Sequence, residues 1–438
     1  METKRNKENL SARKYLKSNA KASFIRVGIS SIATLVIIPF IIKNIGMEKY
    51  SYISITSFLI SFGGIFDLGL SRALVYLVNE EGIQEKKRNQ YISTIKIINL
   101  LIVIILLFAG VLAIACRLNV LGDTIPFTNN YYFSVFVCAL FVLIFSIYNM
   151  YQTALLEGFF LLDYSAYGIT INILVLNGLY FINLLTFNNL YFYISASVIA
   201  NIVTTIYYKA VIRKYIAWHF ARPSSQIVRV VAKQAYSFMK IGILTSINAA
   251  LPRLVIVYLS PNISYVGVLD VITKITASII NLFSTISRPF MALSRINPQK
   301  IQKRFKSILA LYLCFGITFW IGIYAFRHIL VDYFFRNVSD VPYIEVLLLI
   351  YAAASLFFLM GQPFSLYLQG VGKNNYLIKI MTGCIFLFAV SYYIMNLFGI
   401  DLLLNLATAN ILISICYFFI LLICSTKVPL PAFISHNK

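Results

Sequence analysis

Acidic side chains are scarce in this sequence: 15 Asp and Glu stand against 37 Lys and Arg in 438 residues, and charged residues of both signs make up only 12%. A soluble domain of that size needs far more polar surface to cover its core, which argues against a cytoplasmic enzyme. Histidine is rarer still. His219, His328 and His436 lie far apart and leave no basis for a metal cluster or a His-based catalytic site. The six cysteines, Cys116, Cys138, Cys314, Cys384, Cys416 and Cys424, fall within or at the ends of apolar segments without C-x-x-C spacing. They read as small packing residues, neither metal ligands nor a disulfide framework. No G-x-x-x-x-G-K-[ST] occurs, so ATP hydrolysis by the chain itself is not expected, and no cofactor is.

What is abundant is apolar: 60% of residues are hydrophobic and the mean hydropathy is +0.82. At roughly 20 residues per membrane-spanning helix, the sequence divides into twelve spans: 23–42, 51–77, 93–115, 131–156, 165–185, 191–208, 237–259, 265–290, 307–326, 343–368, 377–397 and 401–423. No small-residue cleavage site follows Ile42, so the first helix is expected to be retained despite its basic lead. With the amino terminus inside, 24 of the 37 basic residues fall in cytoplasmic segments, 5 in outside loops and 8 within spans. That asymmetry predicts an even number of crossings with both termini cytoplasmic. The basic residues punctuate hydrophobic runs instead of forming a patch on a soluble fold, so nucleic acid is not an expected partner and the bilayer is.

The sequence echoes itself. Leu156-Glu157-Gly158 with Tyr164 recurs as Leu368-Gln369-Gly370 with Tyr376, and Arg26-Val27-Gly28-Ile29 as Lys240-Ile241-Gly242-Ile243, at offsets of 212 and 214 residues. Two parallel halves of six spans each would be related by an axis along the membrane normal. The division expected is a basic cytoplasmic tail over 1–22, a six-helix lobe over 23–208, a cytoplasmic linker over 209–236, a second six-helix lobe over 237–423 and a tail over 424–438. The linker reads as solvated and partly amphipathic, lying at the inner surface.

Eight basic residues lie inside spans: Arg26, Arg72, Lys96, Lys240, Arg253, Lys274, Arg288 and Lys379. Lys96 and Lys379, near helix ends, can snorkel to headgroups. Arg26, Lys240 and Arg288 also lie in or near a first turn, whereas Arg72, Arg253 and Lys274 read as deeper. At roughly 2.5–3.5 kcal/mol per charge at a helix centre, these three with Asp67 and Asp270 would cost on the order of 10 kcal/mol in lipid, so they are expected to face a wet interior. Asp270 and Lys274 are spaced i,i+4, and Arg253 on the preceding antiparallel helix sits at similar depth, which allows either a structural network or a binding surface. Surplus positive charge suits an anion, and the Arg fork suits phosphate oxygens. Pro39, Pro252, Pro289 and Pro363 are candidate kinks.

Gly46-Met47-Glu48-Lys49-Tyr50-Ser51, followed by Phe66-Asp67-Leu68-Gly69-Leu70-Ser71-Arg72-Ala73-Leu74, resembles bacterial O-antigen and polysaccharide-unit flippases. These form the polysaccharide-transporter branch of the multidrug/oligosaccharidyl-lipid/polysaccharide exporter superfamily. The resemblance covers the whole chain as length and span layout, and those short segments as motif. It implies an all-α polytopic fold of about twelve helices in two six-helix lobes around a central cavity, in the bacterial cytoplasmic membrane. It further implies a substrate, an undecaprenyl-pyrophosphate-linked oligosaccharide turned from the inner to the outer leaflet, with a polysaccharide polymerase and a chain-length regulator as partners. The cavity cations would be Arg26, Arg72, Arg253 and Lys274, with Lys240 and Arg288 beside them, and Asp67 or Asp270 would serve ion coupling or charge balance.

Three rivals stand against this reading, of which a major-facilitator sugar or anion porter would carry Gly-x-x-x-Asp-Arg-x-Gly-Arg after its second helix, and 78–92 does not. A multidrug cation antiporter of the same superfamily would favour an acidic cavity and a carboxylate in the first span, and 23–42 has none. A membrane enzyme of polysaccharide assembly, such as a polymerase, would need a long catalytic outer loop, whereas the longest outside loop here is 327–342.

Overall fold

The computed structural model describes residues 28, 33, 35–61, 63–78, 83–119, 130–159, 161–260, 262–287, 294, 298–336 and 343–427. Among them the regular structure is entirely helical. In chain order the helices are α1 (Leu35–Ile45), α2 (Met47–Ser61), α3 (Gly63–Phe66), α4 (Leu70–Val78), α5 (Glu85–Asn119), α6 (Asn130–Gly158), α7 (Leu162–Leu185), α8 (Leu190–Tyr215), α9 (Ser225–Leu259), α10 (Ser264–Ser287), α11 (Pro298–Lys303), α12 (Phe305–Phe335), α13 (Ile344–Gly370), α14 (Asn374–Leu397) and α15 (Leu402–Lys427). Against twelve spans read from the sequence, eight helices among the described residues are by themselves long and apolar enough to cross a bilayer, and nine if the bent α9 counts as one. The second span is interrupted: α2, α3 and α4 share it, and the turn Asp67–Gly69 parts α3 from α4. The start of the first span lies outside the described residues. Pro252 accompanies a bend of 44° between the Ser225–Asn248 and Leu251–Leu259 parts of α9, Pro363 sits inside the single helix α13, and Pro289 lies outside the described residues.

The chain forms two compact units, one of Phe24–Val271 and one that holds Ile272–Lys438, with the boundary inside α10. In the first, α6 packs on α2, α4, α5 and α8, α7 packs on α8, and α9 lies against α2 to α5. Its core includes Tyr50, Leu74, Ile92, Ile147, Leu156, Tyr193 and Phe238, each almost wholly buried. In the second, α13 packs on α12 and α15, and α14 on α15. There Phe305 meets Phe364 and Tyr367 edge to face at 5.0 and 4.9 Å, and the Ser287 and Tyr312 hydroxyls are hydrogen bonded.

The stretch expected as a linker over 209–236 is helical at both ends, because α8 continues to Tyr215 and α9 starts at Ser225. Only 216–224 is irregular. Ser224 ends it as an N-cap whose Oγ accepts from the Ile227 N–H at 3.3 Å. The connector is tied down on α5: the Ala221 N–H donates to Ser93 Oγ at 3.0 Å, and Lys96 Nζ lies 5.0 Å from the centre of the Trp218 ring. Lys96, three turns into α5, thus has an aromatic face beside it, an alternative to snorkelling.

Candidate functional site

The Asp67-Leu68-Gly69 turn decides where α4 and its arginine stand. Asp67 is 4% exposed, and its carboxylate accepts from the Ser71 N–H at 3.1 Å and from the Ser71 hydroxyl at 2.6 Å. It therefore caps α4 and satisfies a donor that a helix start leaves over. Leu68 and Gly69 both have positive φ, +50° and +73°. A Cβ on Gly69 would fall 2.5 Å from the Ala235 carbonyl oxygen and the Met239 nitrogen, so α4 begins in backbone contact with α9. The Asp-Leu-Gly-Leu motif is the device that breaks the second span and seats α9 on it. Asp67, expected as an ion-coupling or charge-balancing group, is held by Ser71. Arg72, one turn after Gly69, is exposed and lies within electrostatic reach of Asp67.

A second constellation forms at the other end of α9. Tyr50 hydroxyl donates to Asp270 Oδ2 at 2.8 Å, and an Arg253 guanidinium nitrogen stands 3.3 Å from Asp270 Oδ1. Tyr50 and Asp270 are 1% and 2% exposed, and Tyr180 on α7 is near enough to Asp270 to interact electrostatically. Beside them the Gly267 N–H donates to Ser51 Oγ at 3.1 Å, and a Cβ on Gly267 would fall 2.6 Å from that oxygen and 2.8 Å from Met47 Sδ. The first turn of α2 is thus pressed onto α10 by two hydrogen bonds and a glycine contact. Breaking a buried pair such as Arg253–Asp270 by removing one partner typically costs about 3–5 kcal/mol, because the other charge stays buried.

The structure thus brings Arg253 and Asp270 together as the sequence allows. Both lie six residues from their helix ends at Leu259 and Ser264, about 9 Å along the axis, as the span limits 237–259 and 265–290 suggest. Lys274 is one helical turn further along α10, where it is half-buried. Lys240 is exposed on α9 with Nζ 4.2 Å from the centre of the Tyr236 ring. Arg26 and Arg288 lie outside the described residues. Tyr50 and Tyr180 are the site residues that sequence reasoning missed. Tyr50 stands within the Gly46–Ser51 motif, but nothing in one sequence pairs a tyrosine with a carboxylate 220 positions away.

The second unit carries its own charged cluster where α12 ends and α13 begins. His328 Nδ1 is 2.7 Å from Glu345 Oε1, and Arg327 Nε is 3.5 Å from Glu345 Oε2. Asp332 and Arg336 line the same cleft. Among the described residues no group of three or more His, Cys, Asp or Glu is placed to hold a metal ion.

No family model matches the chain, and no curated protein sequence does. Solved structures do. The chain is similar to the inward-facing conformation of a multidrug resistance MATE family transporter of the MOP superfamily, with TM-score 0.66 and 13% identity over 92% of this chain and 98% of that one. It is similar to the MATE multidrug transporter DinF-BH, with TM-score 0.70 and 12% identity over 96% and 98%. A MOP superfamily transporter from Pyrococcus furiosus Vc1 (DSM3638), for which reverse polarity of the binding pocket suggests a different function, gives TM-score 0.67 and 12% identity over 95% and 97%. At these identities the likeness is one of fold. The chain has the helical fold of MATE-like transporters, that of a multi-pass membrane protein.

Proposed function

We propose that this chain is an alternating-access exporter of an anionic lipid-linked cargo, an undecaprenyl-pyrophosphate-linked oligosaccharide moved from the inner to the outer leaflet of the bacterial cytoplasmic membrane. One observation carries the reading: the span carboxylates are committed, Asp67 to Ser71 and Asp270 to Tyr50 and Arg253, while Arg72 and Lys274 add cations to the same helices. A path whose carboxylates are engaged and whose net charge is positive favours phosphate over an organic cation. The positive-inside bias of the loops favours both termini in the cytoplasm. In that orientation Tyr50, Arg253 and Asp270 close the outer end of α2, α9 and α10, and the cargo's release outward requires the Tyr50–Asp270 and Ser51–Gly267 hydrogen bonds to open. Arg72 on α4 is then a cation that replaces water around the diphosphate on the first unit, and Lys274 on α10 one that does so on the second, each binding weakly enough to let the cargo leave.

The solved neighbours favour a second reading, a multidrug antiporter, since two of them are MATE multidrug transporters. One experiment separates the two. Proteoliposomes holding the purified chain are supplied with fluorescent undecaprenyl-pyrophosphate-linked oligosaccharide or with a cationic dye under a proton or sodium gradient. The flippase reading expects movement of the lipid-linked sugar, reduced at least tenfold in Arg72→Gln and Lys274→Gln, which remain inserted. Extrusion of the dye with no movement of the sugar establishes the antiporter instead. Arg253 is the weaker probe, because its loss also unties the buried Asp270.

A further inference from the structure

The first half of α9 presents two faces. Ile227, Val231, Ala235, Phe238 and Ile241 are buried and lie toward α3, α4 and α5, on which the helix packs. Arg229, Lys233, Tyr236 and Lys240 are all exposed. At about 100° per residue these four fall within roughly a 60° sector, opposite the buried row. A run of basic residues that served only to fix topology would need no common face. This one has a common face, and it has an aromatic ring in it: Lys240 lies over Tyr236, the pairing of amphipathic ring and cation found where a helix passes from hydrocarbon to headgroups.

Depth fits that reading. About 20 residues counted back from Leu259 use up the hydrocarbon thickness and end beside Lys240. Counted past the bend, the same row continues as Ile247, Leu251, Leu254 and Tyr258, of which Leu254 and Tyr258 are exposed. The face is therefore apolar where hydrocarbon is expected and cationic over the next roughly 16 Å, with no acidic residue in Ser225–Leu259 to neutralise it.

We propose that the Arg229–Lys233–Tyr236–Lys240 face of α9 is a docking strip for anionic phospholipids of the cytoplasmic leaflet: their phosphates bind the cations and their acyl chains lie on the apolar row above. The strip holds membrane lipid whichever cargo the chain exports.

The experiment reads bound lipid and not transport. The full chain is purified from nanodiscs of phosphatidylglycerol and phosphatidylcholine, and retained lipid is counted by native mass spectrometry. The wild type is expected to keep phosphatidylglycerol in preference to phosphatidylcholine. Arg229→Gln/Lys233→Gln/Lys240→Gln is expected to lose that preference by at least tenfold, and each single change by about fivefold. The singles keep the test valid if the triple variant fails to fold. Lys209→Gln/Lys214→Gln, a comparable charge loss on exposed α8 positions, should keep it. Undiminished phosphatidylglycerol in the strip variants overturns the proposal, as does an equal loss in the α8 variant. Displacement of the lipid by inorganic phosphate alone also overturns it, since the strip would then be a site for a free anion.

Discussion

The four-helix runs α5–α8 and α12–α15 share one backbone plan and differ in what fills it. In each, the first helix packs on the second, and the fourth packs on both the second and the third. The turns coincide at an offset of 212 residues. The Leu161 N–H donates to the Leu156 carbonyl at 2.8 Å and the Lys373 N–H to the Leu368 carbonyl at 2.9 Å; Asn188 donates to Asn183 as Ile400 does to Met395. Even the caps match, with Asn189 Oδ1 accepting from the Tyr191 N–H at 2.8 Å and Asp401 Oδ1 from the Leu403 N–H at 3.0 Å. The packing seams do not match. Where α6 meets α8, Thr205 Oγ1 donates to Asn149 Oδ1 at 2.8 Å, and the Asn149 amide donates to the Asn201 carbonyl at 3.2 Å. The equivalent positions in α13 and α15 are Gly361, Ile413 and Tyr417, and Phe358 stacks on Tyr417 with ring centres 5.5 Å apart. Helix ends, set by hydrogen bonds, tolerate little change, whereas a seam inside lipid can be closed by either polar or aromatic contacts.

The helices that precede these runs differ more sharply, and the largest effect is expected there. The second span is broken at Asp67–Gly69, while α10 runs unbroken from Ser264 to Ser287. Gly69→Ala must place a Cβ at φ +73° and 2.5 Å from two backbone atoms of α9. Neither helix can yield by a side-chain rotation, so a loss of at least about 4 kcal/mol is expected. Failure to accumulate in the membrane, or a steep fall in the temperature at which the detergent-solubilised chain aggregates, would register it. A wild-type melting curve would show that α9 does not rest on this turn.

Phe364→Ala tests the aromatic seam. Phe364 is fully buried, 5.0 Å from the Phe305 ring centre and 6.5 Å from that of Phe418. Truncation is expected to cost about 2–3 kcal/mol, below the usual range for a buried phenylalanine, because lipid and not water is the reference for the separated helices. Its counterpart in the first run, Gln152, is also buried, so Gln152→Ala should cost less, and unfolding in increasing SDS would rank the two.

These contrasts mark what a single sequence conveys. Apolar runs announced the helices, and the Leu-Glu-Gly and Leu-Gln-Gly signals marked equivalent helix ends, because turn chemistry is local. The charge pattern put Arg253 and Asp270 at one level of neighbouring helices, and they pair. Tyr50 was not legible as their partner, since side chains 220 positions apart meet only through the packing of α2 on α9 and α10. The capping role of Asp67 was not legible for a related reason. A buried carboxylate in a span suggests coupling by its depth, and only the positive φ of Leu68 and Gly69 shows that a helix starts there and uses it as a cap. Lys240 reads alike from sequence whether it faces a cavity or a headgroup layer, and its exposure beside Tyr236 is what sets it on a surface row.

The smallest expected effect is the one that most directly tests whether the two seams are interchangeable. Asn149→Leu removes the three hydrogen bonds that Asn149 makes across α6 and α8 but leaves Thr205 bonded to the Asn201 carbonyl at 2.8 Å within its own helix. Interhelical hydrogen bonds in membranes average about 0.6 kcal/mol and reach about 1.7, because polar groups find other partners when helices separate. A loss of about 1 kcal/mol by SDS unfolding is therefore expected. The reciprocal change, Gly361→Asn, should cost more, since its Cβ would lie 3.1 Å from the Tyr417 ring and 3.3 Å from Leu421, and its amide would enter an aromatic layer. Equal costs would mean that both seams have slack and that polarity is incidental to them. The expected inequality would mean that the first run keeps amides where its seam is still half open, as Ser146, Asn201 and Thr205 are only half-buried, and that the second run has closed the same space with rings.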